Sequence, residues 1–282
     1  MEKISIITPL YRGQQFIDNI VHNAEKLYEK VRPLGYSVEL ILVNDSPNEE
    51  LIIPNCQEFD IKLFKNKQNF GIQQTRVNGL EKSVGEYIIF LDQDDDLIVE
   101  HYDQQLQLIS DADVVVGNLY MDRNGQKEAI YKNVKQLKCM ISEDYITNVV
   151  NPIISPGQCL IRRSAIPQEW KNSIMKVNGV DDWLLWILLF MHSAQFAVNG
   201  EIVYYHRTTE VGNFSSDKQK MYDSEMEMIE ILKRYGYSEK GIESLKETAR
   251  YIHKRRETSM WSIRSHIFKL LEYRLKFLKL GR

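Results

Sequence analysis

The chain has 282 residues, with 36 Lys/Arg against 39 Asp/Glu and the composition of an ordinary globular protein. That length suits one large domain plus an appendage, and no repeat or low-complexity tract marks a solenoid or a disordered chain. Cys56, Cys139 and Cys159 are odd in number, widely spaced and without a CxxC; they make neither a zinc site nor a disulfide framework, and fit a reducing cytosol.

The chain opens with Lys3 to Thr8, which reads as a buried strand (Ile4, Ile6, Ile7), so no signal peptide is expected. A helix is predicted from Gln14 to Val31, a second buried strand over Ser37 to Asn44, and a short third over Ile61 to Lys65. A helix over Gly71 to Val84 and a fourth strand over Glu86 to Leu91 follow. This alternation argues for βαβ units and a parallel sheet. Asp113 to Gly117 adds a strand, and residues 118–178 read as irregular, substrate-shaping loops. Val180 to Met191 reads as a very apolar helix, with Trp183 and Trp186 as core. Its run from Trp183 to Met191 has nine residues, too short to span a bilayer. Phe196 to Tyr205 closes the sheet, and the chain beyond Ser215 is expected to be helical.

The densest chemistry lies in Gly85-Glu86-Tyr87-Ile88-Ile89-Phe90-Leu91-Asp92-Gln93-Asp94-Asp95-Asp96, where an apolar strand ends in four carboxylates. Crowded carboxylates raise one another's pKa unless a cation sits among them. Hard oxygen ligands of this kind suit Mg²⁺ or Mn²⁺, which share their shell with phosphate. Open α/β sheets bind ligands at the carboxyl ends of their strands, and three further pieces fall there. They are Thr8-Pro9-Leu10-Tyr11, Asn44-Asp45-Ser46-Pro47, and Asn69-Phe70-Gly71 ahead of the helix that carries Arg76. Together they offer a nucleoside diphosphate an aromatic face for its base, an acceptor for the base edge, a cation for its phosphates and carboxylates for a metal. No GxGxxG follows the first strand and no GxxxxGK[ST] occurs, so dinucleotide and P-loop readings lack support.

These motifs, in this order, resemble those of family 2 glycosyltransferases of the GT-A fold over residues 3–207. The family's Pro-x-Tyr after the first strand matches Pro9 to Tyr11, and its acidic turn appears as Asn44-Asp45-Ser46-Pro47. Its Asn-x-Gly and Ala-Arg-Asn match Asn69, Gly71 and Arg76, with Thr75 and Val77 as departures. Its Gly-Glu-Tyr…Phe-Leu-Asp-x-Asp-Asp is met from Gly85 to Asp95, and its late Glu-Asp-Trp-x-Leu-Trp appears as Asp181 to Trp186. The resemblance implies a mostly parallel α/β sheet flanked by helices, with a GT-A domain over 1–215 and a helical C-terminal region over 216–282. It implies nucleotide binding by Thr8, Pro9, Tyr11, Asp45, Asn69, Gly71, Arg76 and Asp92. Tyr11 would pack on the base, Asp45 would accept from the base edge, and Asp92 would help to hold the ribose. Asp94 would ligate Mg²⁺ or Mn²⁺, with His206 as a further metal or phosphate ligand and Arg207 as a rival phosphate contact. Asp182 would be the catalytic base, supported by Asp181; as a first-turn acid it would also be favoured by the helix dipole. Asp95 and Asp96 are expected to cap the next segment, and Ser155 to Gln158 to form an acceptor-side turn.

The expected reaction is inverting transfer of a sugar from a nucleotide-diphosphate donor, UDP-linked by preference, to a hydroxyl of a glycan or lipid-linked acceptor in surface polysaccharide biosynthesis. Two rivals stand beside it: a catalytically silent subunit of an assembly complex, and a polyprenyl-phosphate sugar synthase. From His253 to Arg282 nine Lys/Arg face two Glu, whereas the remaining residues carry 27 basic against 37 acidic. Apolar residues from Met260 to Leu280 recur at roughly helical spacing, which reads as a basic amphipathic helix at a membrane surface. The expected location is cytoplasmic, on the inner face of the plasma membrane. Nucleic acid is not expected as a partner, and the sequence leaves a homodimer open.

Overall fold

Ile4 to Ile7 and Leu40 to Val43 are apolar almost throughout, the pattern of strands covered on both faces. In the computed structural model they are interior strands of a nine-stranded sheet. The structure describes residues 1–54, 58–123, 126–207 and 217–257, together with Leu271 and Leu275. The strands are β1 (Glu2–Leu10), β2 (Tyr36–Asn44), β3 (Asp60–Lys65), β4 (Tyr87–Phe90), β5 (Asp96–Leu97), β6 (Val114–Arg123), β7 (Gln126–Ala129), β8 (Cys159–Arg162) and β9 (Phe196–His206). Their order is β3-β2-β1-β4-β8-β6-β9-β5, with β7 paired to β6. β1 to β4 pair in parallel, β6 and β9 run the same way, and β5, β7 and β8 run against them. The sheet is therefore mostly parallel. Because these six strands share a direction, β1, β2, β4 and β9 deliver their carboxyl ends to one edge.

Contacts divide the chain into two units. The first comprises Met1–Ile130, Ile154–Ile166 and 194–207 and holds the sheet with α1 (Ile17–Val31), α2 (Ile72–Lys82) and α3 (Tyr102–Ile109). On α1, Ile17, Ile20, Val21, Ala24, Leu27 and Val31 form the buried stripe expected of a helix laid on a sheet. The second unit comprises Tyr131–Ile153, Pro167–Ser193 and residues from 217 on. It is helical: α4 (Val134–Met140), α5 (Glu143–Asn148), α6 (Gln168–Asn172), α7 (Asp181–Met191), α8 (Lys218–Arg234) and α9 (Glu239–Glu257). Trp183 and Trp186 are core residues of α7, 3% and 0% exposed.

Residues 118–178 are more ordered than the sequence pattern suggests. β6 runs on to Arg123, and two short helices start on side-chain caps, Asn133 for α4 and Ser142 for α5. Their few turns carry too little periodicity to announce a helix, so the caps were the only local signal. Helices continue beyond Ser215 as expected through α8 and α9. The basic amphipathic segment expected over 260–280 lies outside the described residues apart from Leu271 and Leu275, both exposed. Among the described residues no helix is long and apolar enough to cross a membrane.

Candidate active site

Tyr11 follows β1 directly and is 47% exposed. Its position is set by a residue that sequence reasoning passed over: Gln93 accepts from Tyr11 N at 3.0 Å and donates to Tyr11 O at 3.3 Å. Arg12, in the left-handed region at φ 51°, turns back so that its guanidinium lies 5.4 Å from the Tyr11 ring centre. Thr8 and Pro9 are buried in the strand, and Thr8 is 0% exposed. Their side chains are buried in this structure.

Beyond β2, Asp45 is 4% exposed and serves the neighbouring loop. Its Oδ1 accepts from Asn66 Nδ2 and Phe70 N, each at 2.8 Å, and its Oδ2 accepts from Gly71 N at 2.9 Å. Three of roughly four lone-pair positions are thus taken. Asn69 Oδ1 also accepts from Gly71 N at 3.0 Å. Gly71 caps α2 at φ 83° and ψ 172°, a conformation open essentially to glycine alone. This loop sets the start of the helix that carries Arg76, which is buried and donates through Nη2 to Asp92 Oδ1 at 2.5 Å.

Asp92 also accepts from Ser155 Oγ, through Oδ2 at 2.9 Å. The 155–158 turn, expected on the acceptor side, therefore places its hydroxyl on Asp92. Gln158 braces that turn from inside: its Oε1 accepts from Ile154 N at 2.9 Å and its Nε2 donates to Gly117 O at 2.9 Å.

Asp94 differs from its neighbours because, among the described residues, its carboxylate accepts from its own backbone N–H and from no other residue. Burial, reinforced by the negative charge of Asp92, holds its pKa above the usual carboxylate range, although its own backbone N–H and then His206 and Arg207 pull the other way. Such a carboxylate is what a divalent cation would relieve, so the site fits a metal. His206 sets its Nδ1 2.9 Å from Asp95 Oδ2, and among the described residues no partner bonds its Nε2. Among the described residues no three His, Cys, Asp or Glu side chains gather into a metal cage.

Asp95 and Asp96 do more than cap. Asp95 is 0% exposed and accepts from Tyr204 OH at 2.6 Å and Arg207 N at 2.8 Å, besides its contact with His206. Burial raises its pKa against the pull of His206 and Tyr204. For His206 burial disfavours the imidazolium, but the Asp95 hydrogen bond and the charges of Asp95, Asp92 and Asp94 prevail and raise its pKa. Asp96 accepts from Arg207 Nε and Nη2 at 2.8 and 2.5 Å and from Asn19 Nδ2 at 2.8 Å. Arg207 is thus paired to Asp96. All of these groups belong to the first unit.

Asp182 belongs to the second unit, in the first turn of α7. Its Oδ1 accepts from Trp183 N at 2.8 Å and its Oδ2 from Asn151 Nδ2 at 3.1 Å. Asn151, like Gln93, was not singled out by sequence. Asp181 is buried, and its carbonyl accepts from Trp170 Nε1 at 2.8 Å. The loop ahead of α7 is latched by α8: Glu227 accepts from Lys176 N and Val177 N, both at 2.9 Å. Ser224 donates to Val177 O at 2.8 Å and accepts from Val180 N at 3.2 Å.

The glycosyl transferase family 2 model matches residues 5–170. An uncharacterized glycosyltransferase of Haemophilus influenzae is 30% identical over 59% of this chain and 64% of its own length. The GalNAc(5)-diNAcBac-PP-undecaprenol beta-1,3-glucosyltransferase of Campylobacter jejuni is 26% identical over 52% of this chain and 48% of its own. The chain thus spans less than two thirds of either relative. Among solved structures, S. aureus TarS 1-349 in complex with UDP-GlcNAc superposes with a TM-score of 0.62 at 16% identity, covering 90% of this chain and 74% of that one. The mannosyltransferase PcManGT from Pyrobaculum calidifontis, in complex with GDP-Man and Mn²⁺, gives 0.56 at 11% identity over 98% and 81%. At such identities the likeness establishes the fold, which is that of GT-A glycosyltransferases. The family match covers more than half of the chain, over the segment that holds Tyr11, Asp45, Arg76 and the Asp92–Asp96 cluster; the chain belongs to glycosyl transferase family 2.

Proposed function

We propose that this protein is an inverting, metal-dependent glycosyltransferase acting on a UDP-sugar and an acceptor hydroxyl. The observation that carries the proposal is the largely buried Asp94 carboxylate, which among the described residues accepts only from its own backbone N–H, while Arg76 and Ser155 hold Asp92 beside it. Tyr11 offers the base an exposed aromatic side chain on a backbone that Gln93 holds, and Asp92 offers the ribose a carboxylate of set orientation. Asp94, with His206, would hold Mg²⁺ or Mn²⁺, which when bound supplies Lewis-acid stabilisation of the departing diphosphate. Asp182 takes the proton from the acceptor O–H as that oxygen bonds to the anomeric carbon and the bond to the diphosphate breaks, its electron pair leaving with the diphosphate. Asn151 and Trp183 N fix the orientation of the Asp182 carboxylate.

A lipid-linked or surface-polymer acceptor is supported by the names of two relatives, the C. jejuni enzyme and the minor teichoic acid biosynthesis protein GgaB of Bacillus subtilis. An acceptor of that kind would place the protein at the inner face of the plasma membrane.

The test is release of UDP from a panel of UDP-sugars with lipid-linked acceptors, with Mn²⁺ and then with EDTA. Metal-dependent release from one donor, abolished by Asp94→Ala and by Asp182→Ala, is the expected result. Full activity in either variant would overturn the role given to that residue.

A further inference from the structure

Ser155 and Tyr204 join the two ends of the donor site. Ser155 Oγ lies 2.9 Å from Asp92 Oδ2 and 3.0 Å from Tyr204 OH, and Tyr204 OH lies 2.6 Å from Asp95 Oδ2. Asp95 in turn meets His206 Nδ1 at 2.9 Å. The result is one chain, Arg76–Asp92–Ser155–Tyr204–Asp95–His206, drawn from four stretches of sequence. Ser155, Tyr204 and Asp95 are each 1% exposed or less, so water does not share these bonds. The turn lies so close to Tyr204 that a Cβ added at Gly157 would stand 2.3 Å from the ring. Gln158, fixed to Gly117, holds the backbone of the turn in place. The oxygens are therefore fixed, and only the hydroxyl protons are free to turn.

Counting those protons gives the arrangement a direction. The phenol of Tyr204 has one proton, and the carboxylate of Asp95 can only accept it. The Tyr204 oxygen can then accept from Ser155 alone among these groups. Ser155 also has one proton, which it gives either to Asp92 or to Tyr204. A ligand hydroxyl that donates to Asp92 Oδ2 competes with Ser155 there and turns the serine proton toward Tyr204. Hydrogen bonds in series polarise one another in a dry interior, so the bond from Tyr204 to Asp95, and with it the hold on His206, responds.

We propose that Ser155 and Tyr204 are positioning residues whose hydroxyls couple nucleoside contact at Asp92 to the Asp95–His206 pair, so that the two ends of a nucleoside diphosphate bind cooperatively. The proposal rests on the donor reading above. Coupling of this kind is reciprocal: what alters the His206 end also alters nucleoside affinity.

Uridine probes this, since it carries no phosphate and engages the nucleoside end alone. It is titrated without metal, at fixed pH, into protein carrying ¹⁵N-labelled histidine, with the His206 resonances assigned from His206→Gln. The wild-type protein should show a uridine-dependent shift of the His206 ring nitrogens. Ser155→Ala and Tyr204→Phe should lose that shift while still binding uridine, and Ser155→Thr, which keeps the hydroxyl, should restore it. In parallel, calorimetry of UDP with Mn²⁺ should find that the Ser155→Ala and Tyr204→Phe effects on affinity do not multiply in the double variant. A shift that persists in Ser155→Ala, a wild-type His206 unmoved by bound uridine, or multiplicative effects would overturn the relay and leave the donor reading standing. A wild-type protein that binds neither uridine nor UDP, GDP or CDP would overturn the donor reading and the relay with it.

Discussion

Replacing Asp45 by Ala tests whether this carboxylate holds the donor loop. The substitution removes the acceptor of three donors, Asn66 Nδ2, Phe70 N and Gly71 N. Gly71 N keeps Asn69 Oδ1 at 3.0 Å, and one amide hydrogen of Asn66 keeps Thr75 Oγ1 at 3.1 Å. Two donors are stranded, the Phe70 N–H and the second Asn66 hydrogen. At about 1–3 kcal/mol for each unsatisfied donor, and with partial access of water at Phe70, the loss is about 3 kcal/mol. Asp45→Asn is milder, because its single carbonyl oxygen can serve both donors that meet Oδ1, leaving a cost of about 1 kcal/mol at Gly71. Urea unfolding read by linear extrapolation gives the global loss. Amide exchange at Phe70 and Gly71 localises it, and both amides should exchange faster in Asp45→Ala. Because the same loop starts α2, UDP affinity should fall alongside. An Asp45→Ala protein within about 0.5 kcal/mol of wild type, with unchanged exchange at those two amides, would refute the reasoning.

Two further outcomes follow from the same unit. Glu39 is 0% exposed; burial pushes its carboxyl up, but hydrogen bonds from Ser5, Val84 N and Lys62 outweigh this and hold its pKa below the usual range. A depressed native pKa stabilises above the unfolded value, about 4.3 for Glu, and that contribution disappears as pH falls through the native value. Glu39→Gln should therefore flatten the loss of stability below about pH 4, read as urea midpoints from pH 6 to 3; an unchanged acid limb would exclude Glu39 as its source. Gly71→Ala should cost about 1–3 kcal/mol through backbone strain at φ 83° and weaken UDP binding, which thermal unfolding and calorimetry check together.

Much of the fold was legible because its signals are local. The central segments of β1, β2 and β4 are mostly apolar, and the Asp92–Asp96 cluster follows β4 closely in the chain. The resemblance pointed to Arg76 and Asp92, and the structure pairs them. The missing links are all distant in sequence. Ser155 meets Asp92 across 63 residues, Tyr204 meets Asp95 across 109, and Asn151 meets Asp182 across 31. Such partners are chosen by sheet order, here β8 beside β4 and β9 beside β6, which no local pattern encodes. Asp95 illustrates the limit: as one of three consecutive aspartates it looked like a surface cap, yet it is the most buried of them. Thr8 shows the converse, a hydroxyl at a strand end that the sequence cannot mark as buried and that here is 0% exposed.

The latch of α8 on the loop ahead of Asp182 also bears on the order in which the protein is made. β1 to β4, with the Arg76–Asp92 pair, lie within the first third of the chain and can assemble early in synthesis. The loop before Asp182 must wait for Ser224 and Glu227. At about 5–20 residues per second, the roughly 45 residues between Asp182 and Glu227 take about 2–9 s to emerge. Through that interval the proposed base lacks its brace, so on the ribosome the capacity for proton transfer is completed after the capacity to bind a nucleotide.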